Sequence, residues 1–131
     1  VIVRAGAFQA HDDVFYTGVS PFAGTNRAFA PALHAWARVV SRPEPGLALL
    51  DAGKRDLPSD LGMPVVHGIP DATISQLADQ HAYLRLPPGH PLAVGDLVRL
   101  GISHPCTAFQ LWSLIAEVEG DRVVGFVETV F

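Results

Sequence analysis

At 131 residues and 14.0 kDa the chain has the length of one ordinary domain, enough to bury about two-thirds of its unfolded surface and hold a core without cross-links. Apolar residues make up 49% and charged residues 17%, and a net charge of −4 excludes a nucleic-acid binder working through clustered Lys and Arg. The single cysteine, Cys106, excludes an intrachain disulfide framework and a zinc site built from several thiolates.

The sequence begins at Val1, and its only methionine, Met63, is internal. No charged segment precedes an apolar run as in a signal peptide, and no stretch nears the ~18 uninterrupted apolar residues of a membrane span. These features point to a piece of a longer protein. Twelve glycines and eleven prolines, spread along the chain, divide it into many short elements. That density predicts a mainly all-β barrel or sandwich with short helical segments. No repeat or composition shift marks a second domain, so residues 1–131 read as one.

Residues 1–5 predict a strand that stops near Gly6. His11, Asp12 and Asp13 ahead of Val14, Phe15 and Tyr16 predict a short helix over 11–16, with acidic groups where the helix dipole favours them. Residues 20–31 are rich in Gly, Pro and Asn and read as a loop. Over 33–40, the alternation of Leu33, Ala35, Ala37 and Val39 competes with the helical spacing of Leu33, Trp36, Ala37 and Val40. The shortness of that run before Ser41, Arg42 and Pro43 favours a strand. Leu47–Leu50 predicts another strand and 51–56 a loop. Residues 64–69 and 73–86 hold further short elements, broken by Pro70, Pro87, Pro88 and Pro91. Over 92–100 a turn feeds a strand. Residues 111–119 and 122–131 flank Gly120 and Asp121, a glycine-first connection that predicts a β-hairpin. In it Trp112, Leu114, Ala116 and Val118 face one way, Ser113, Glu117 and Glu119 the other.

The sharpest chemical constellation is the run 101–107, GISHPCT. In extended backbone residues i and i+2 share a side, so His104 and Cys106 can converge on one cation, with Pro105 biasing His104 towards that conformation. Zinc accepts both donor types, and two protein ligands suit an open site rather than a closed structural one. Two other readings compete: a small buried hydrophobe beside an unrelated histidine, and a cysteine–histidine nucleophilic pair. In the loop Asp51-Ala52-Gly53-Lys54, a desolvated lysine could anchor pyridoxal phosphate. Against this, the neighbours Arg55 and Asp56 suggest an ordinary solvated turn. His81, in Asp79-Gln80-His81-Ala82, reads as structural, and His11, Asp12 and Asp13 with Tyr16 as a solvated helix start. His34, His67 and His90 have no company that suggests a role.

Taken in order, Asp51-Ala52-Gly53-Lys54, Asp79-Gln80-His81-Ala82, Val94-Gly95-Asp96 and Ser103-His104-Pro105-Cys106-Thr107 resemble the C-terminal domain of the D-serine dehydratase-like family. That family includes D-threonine aldolases and D-threo-3-hydroxyaspartate dehydratases. Arg4-Ala5-Gly6 to His11-Asp12, Ser41-Arg42-Pro43-Glu44 and Arg122-Val123-Val124 extend the resemblance over essentially the whole chain. It implies the β-barrel or sandwich-like C-terminal domain of a fold-type III, alanine racemase-like enzyme. There an N-terminal barrel, absent from this chain, carries the lysine that holds pyridoxal phosphate. The resemblance implies His104 and Cys106 as zinc ligands, with Asp51, Lys54, His81, His11, Asp12 and Tyr16 at most lining the site. It also implies a cytoplasmic homodimer that removes the β-hydroxyl of a small D-amino acid, leaving a keto acid and ammonia. Cysteine at position 106 leans towards dehydratases, because aldolases of the family can place a carboxylate there. Without the barrel this chain alone is expected to be inactive. A different expectation, a non-catalytic β module for assembly, rests on the apolar richness (mean hydropathy +0.28) and on the surface a missing barrel would expose.

Overall fold

Six strands make the principal sheet of the computed structural model, which describes residues 1, 2, 6 and 9–130. They are β1 (His34–Glu44), β2 (Leu47–Leu50), β3 (Val65–Val66), β4 (Thr73–Leu77), β5 (Ala82–Arg85) and β6 (Leu97–Gly101). Their order is β3-β6-β1-β2-β5-β4, and every neighbouring pair is antiparallel. The outer strands β3 and β4 approach each other, so the sheet curls into a nearly closed barrel. Curling of this kind removes the open edges that a flat sheet would leave. Most of the strand expected over 1–5 lies outside the described residues, as do Arg4 and Ala5 of the opening motif.

Strand β1 makes the closure possible. Its first half pairs with β6, from His34 opposite Gly101 to Arg38 opposite Leu97. Its second half pairs with β2, from Val39 opposite Leu50 to Glu44 opposite Leu47, with register shifts on both sides of Ser41. Such bulges bend a strand and raise its twist, which lets one strand serve two stretches of sheet. The Arg42 guanidinium reinforces the bend by donating to the carbonyls of Leu92 and Pro45.

Burial follows the period of two that a half-buried strand requires. Ala37 and Val39 point inward on β1 and Val98 and Leu100 on β6, while Trp36, Arg38, Leu97 and Arg99 face out. Leu50, Leu84, Leu100 and Leu57, the last from the loop after β2, are the largest apolar side chains fully inside. The strand reading of 33–40 is therefore correct, and tertiary pairing settles what periodicity left open.

Three local expectations need correction. The helix expected over 11–16 begins later, as α1 (Phe15–Val19). His11 has a φ of 50°, and Asp12 lies ahead of the helix, where its carboxylate accepts the N–H groups of Val14 and Tyr16 at 2.9 and 3.0 Å. The extended run through 107 ends at His104, which is extended (φ −154°), and Pro105 opens α2 (Pro105–Leu111). Proline suits that place because its missing N–H would have no helical partner in the first turn. The hairpin forms as β7 (Leu114–Glu119) and β8 (Arg122–Glu128) around Gly120, whose φ of 63° fits a glycine-first turn. Its first strand starts at Leu114 because α2 runs to Leu111, after which the Trp112 N–H closes onto the Ala108 carbonyl. A register shift between Glu117 and Val118 leaves Val124 as an extra residue on β8.

Candidate functional site

The end of β6 leads into the first of two clusters. Ser103 is fully buried, and its hydroxyl donates to the Pro58 carbonyl at 2.9 Å. That bond pins the β6–α2 turn against the loop after β2, whose Leu57 and Pro58 are buried. Asp60 is thereby carried to His104, 44 residues on, where Oδ2 lies 2.5 Å from Nδ1. The Thr107 hydroxyl stands 3.1 Å from both groups. A carboxylate only accepts, so Nδ1 is the donor in this pair, and in the neutral imidazole the lone pair is then on Nε2. Burial pushes the Asp60 carboxyl up, but hydrogen bonds from His104, from its own backbone and from Thr107 outweigh it and leave the group below its ordinary value. Cys106 stands exposed on the first turn of α2.

In donor type, the pair suits a zinc ion. An imidazole whose far nitrogen is held by a carboxylate is the usual outer support of a zinc-bound histidine, and an accessible thiol supplies the second donor type. The extended-chain geometry that the sequence suggested for bringing His104 and Cys106 to one side is not present, because Cys106 lies in the first turn of α2. Asp60 escaped the sequence reading altogether. Its signal is tertiary, since nothing near it marks it as a partner of His104.

The second cluster surrounds Gly101. Asp13, His34 and His67 bring ligand atoms within 4.8 Å of one another. His34 faces Gly101 across the β1–β6 ladder. The Asp13 N–H donates to the Ile102 carbonyl at 3.1 Å, and the His67 N–H to the Arg99 carbonyl at 3.0 Å. These side chains pack directly on Gly101: a Cβ there would collide with Asp13 Oδ2 and stand 2.8 Å from His67 Nε2, so both would have to shift. The His67 and Asp13 side chains are 24% and 12% exposed, with Nε2 and Oδ1 3.1 Å apart but not aligned as a hydrogen bond. Nε2 and Asp13 Oδ2 are buried without a hydrogen-bond partner among the described residues. Burial, then the nearby Arg99 charge, lowers the His34 pKa, with Asp13 acting in the opposite sense and His67 in the same. His34 and His67 thus have the company that their sequence neighbours did not reveal.

The remaining candidates lie elsewhere. His11 is 4% exposed, its ring 6.3 Å from Tyr16 and 5.9 Å from Phe29. Asp12 is fully buried and binds backbone. Neither is the solvated start expected of it. Asp51 accepts the Arg38 N–H at 2.6 Å and so ties its loop to β1. Lys54 and His81 are exposed. Their loops meet through backbone bonds from Lys54 to Ala78 and Arg55 to Asp79. Among the described residues no side-chain bond links Lys54 or His81 to Asp60 and His104.

Residues 32–118 match the family described as "Putative serine dehydratase domain". A D-threonine aldolase from Arthrobacter sp is 34% identical over 85 residues, which is 64% of this chain and 22% of that protein. Among solved structures, D-threonine aldolase from Filomicrobium marinum superposes with a TM-score of 0.84 at 28% identity, over 95% of this chain and 34% of that one. D-threo-3-hydroxyaspartate dehydratase from Delftia sp. HT23 superposes with a TM-score of 0.61 at 20% identity, over 76% of this chain and 32% of that one, a likeness of fold. The chain therefore spans only about a fifth to a third of the length of these relatives. Its mainly β architecture is that of the C-terminal domain of fold-type III enzymes. On the match over most of its length, the chain belongs to the serine dehydratase domain family.

Proposed function

We propose that residues 1–131 are the metal-bearing C-terminal β domain of a pyridoxal-phosphate- and zinc-dependent lyase acting on small D-amino acids with a β-hydroxyl. The observation that carries this reading is His104, held by Asp60 at 2.5 Å two positions before the exposed Cys106, in a chain of this family. Among the similar solved structures are D-threo-3-hydroxyaspartate dehydratase as a histidine-to-alanine mutant and as a cysteine-to-alanine mutant in the metal-free form, the two positions lying two residues apart. That spacing supports His104 and Cys106 as the zinc ligands.

When bound, zinc supplies a Lewis acid for the β-hydroxyl, a poor leaving group unaided, and pyridoxal phosphate an electron sink for the α-carbon. The chain's own part is positional. Asp60 keeps the proton on Nδ1 of His104 and leaves Nε2 free to ligate. Thr107 braces that pair, and Ser103 anchors the turn that carries it. The lysine that holds pyridoxal phosphate is assigned to an N-terminal barrel outside this chain, so Lys54 has no such role and the chain alone is inactive. The active protein is proposed to be a cytoplasmic homodimer; no helix among the described residues is long and apolar enough to cross a membrane. The exposed apolar side chains of β7 and β8, with Phe126 64% and Val123 56% exposed, support an additional role in assembly.

Two bond cleavages share this machinery. Cys106 supports β-hydroxyl elimination of the D-serine type, and the greater likeness to D-threonine aldolases supports Cα–Cβ cleavage as the second reading. D-threonine given to the full-length enzyme decides between them. Elimination yields 2-oxobutanoate and ammonia, whereas aldol cleavage yields glycine and acetaldehyde. Failure of D-serine, D-threonine and 3-hydroxyaspartate each to yield either its own keto acid with ammonia or glycine with the matching aldehyde would overturn the lyase assignment.

A further inference from the structure

The cluster around Gly101 has the composition of a metal site, and it shares no residue with the His104–Cys106 pair. We propose that Asp13, His34 and His67 bind a second divalent cation of the borderline class, zinc or cobalt, at a site separate from that pair.

Four observations converge. Two imidazoles and one carboxylate are a donor set that first-row transition metals accept, whereas magnesium and calcium prefer oxygen alone. The three donors lie within 4.8 Å of one another, and ligands bound at about 2.0–2.2 Å stand no more than roughly 4.4 Å apart, so a small closure of the side chains completes the set. Nε2 of His67 and Oδ2 of Asp13 are buried yet lack a hydrogen-bond partner among the described residues, a state that buried polar atoms normally avoid. Lastly, both atoms occupy the room that a side chain on Gly101 would take, so the backbone keeps this concavity open.

The donors also arrive on separate supports: His34 from β1, His67 from just after β3, and Asp13 from the segment ahead of α1. Of these only His34 lies in a strand, and β6 pairs with both β1 and β3 and so links the supports of His34 and His67. A groove of about 380 Å³, lined by His67, Trp36, His90 and Arg99 among others, opens beside His67. Neither Asp13 nor His34 lines that groove; three protein ligands leave a fourth coordination position for water or a small anion. The alternative is a plain His67–Asp13 ion pair, which binds no metal.

The inference does not depend on the proposed function, and the two fail separately. Metal-free full-length protein is titrated with cobalt(II) while its visible spectrum is followed. His67→Gln and Asp13→Asn, each nearly constant in volume, are expected to lower bound cobalt by one ion per chain. They are expected to leave the thiolate-to-cobalt charge-transfer band unchanged. Cys106→Ser is expected to abolish that band yet retain d–d bands from nitrogen and oxygen ligands, which then disappear on addition of His67→Gln. Cobalt stoichiometry unchanged by both His67→Gln and Asp13→Asn, in protein with unaltered near-ultraviolet circular dichroism, would overturn the second site. Loss of the charge-transfer assignment alone would instead bear on His104 and Cys106.

Discussion

In the proposed zinc site, Asp60 acts on His104 as an outer partner. Its carboxylate faces His104 Nδ1 at 2.5 Å and is itself 44% exposed, so its value lies in direction more than in charge. By holding the proton on Nδ1 it removes the competing tautomer and aims the other nitrogen. Such outer partners typically change metal affinity by about 10–100-fold when altered. Asp60→Asn keeps the shape but cannot fix the tautomer as an anion does. Zinc affinity of the full-length protein, read by competition with a chromogenic chelator, is expected to fall within that range while the fold stays intact. Unchanged affinity would assign Asp60 to surface packing only. His104 and Cys106 were legible in the sequence because two positions suffice to show them together. Asp60, and the set Asp13, His34 and His67, were not, because each partner comes from a different element and only folding brings them together.

Among the elements, the loop after β2 is the most tightly constrained. A Cβ on Gly53 would lie 2.5 Å from the Ala78 and Asp79 carbonyl oxygens and from the His81 nitrogen. All three are backbone atoms and cannot rotate away. Gly53→Ala is therefore expected to destabilise the protein by about 1–3 kcal/mol, the usual cost of overpacking. The check is a lowered midpoint in urea unfolding at constant slope; Gly6→Ala, with open space around it, serves as the control. Of the motifs that carried the family resemblance, Asp51-Ala52-Gly53-Lys54 and Asp79-Gln80-His81-Ala82 thus meet through backbone. Strand β1 could not be settled by its alternation alone, since helical spacing competed and the pairing with β6 and β2 decided it, whereas the hairpin could be read from Gly120. The two helices could not be placed, for opposite reasons. Asp12 resembles a first-turn acid but satisfies N–H groups from outside the helix. Pro105 resembles a guard of extended chain but opens a helix only seven residues long, too short to show a period.

For the whole molecule, the six-stranded sheet closes on itself and buries its leucines, while the β7–β8 hairpin leaves Leu114, Val118, Val123 and Phe126 exposed. A chain that spans at most 34% of its relatives and shows such a face fits a domain whose neighbours lie elsewhere in a longer enzyme. The account turns on whether the β6–α2 turn carries a metal through its histidine and its cysteine. Cobalt(II) substitution of the full-length protein, compared with Cys106→Ser, measures this most directly. The expected result is a thiolate-to-metal charge-transfer band in the parent protein that is absent from Cys106→Ser, with lyase activity lost alongside it. A parent spectrum without that band, or a Cys106→Ser variant that keeps its full metal content and activity, would contradict the account.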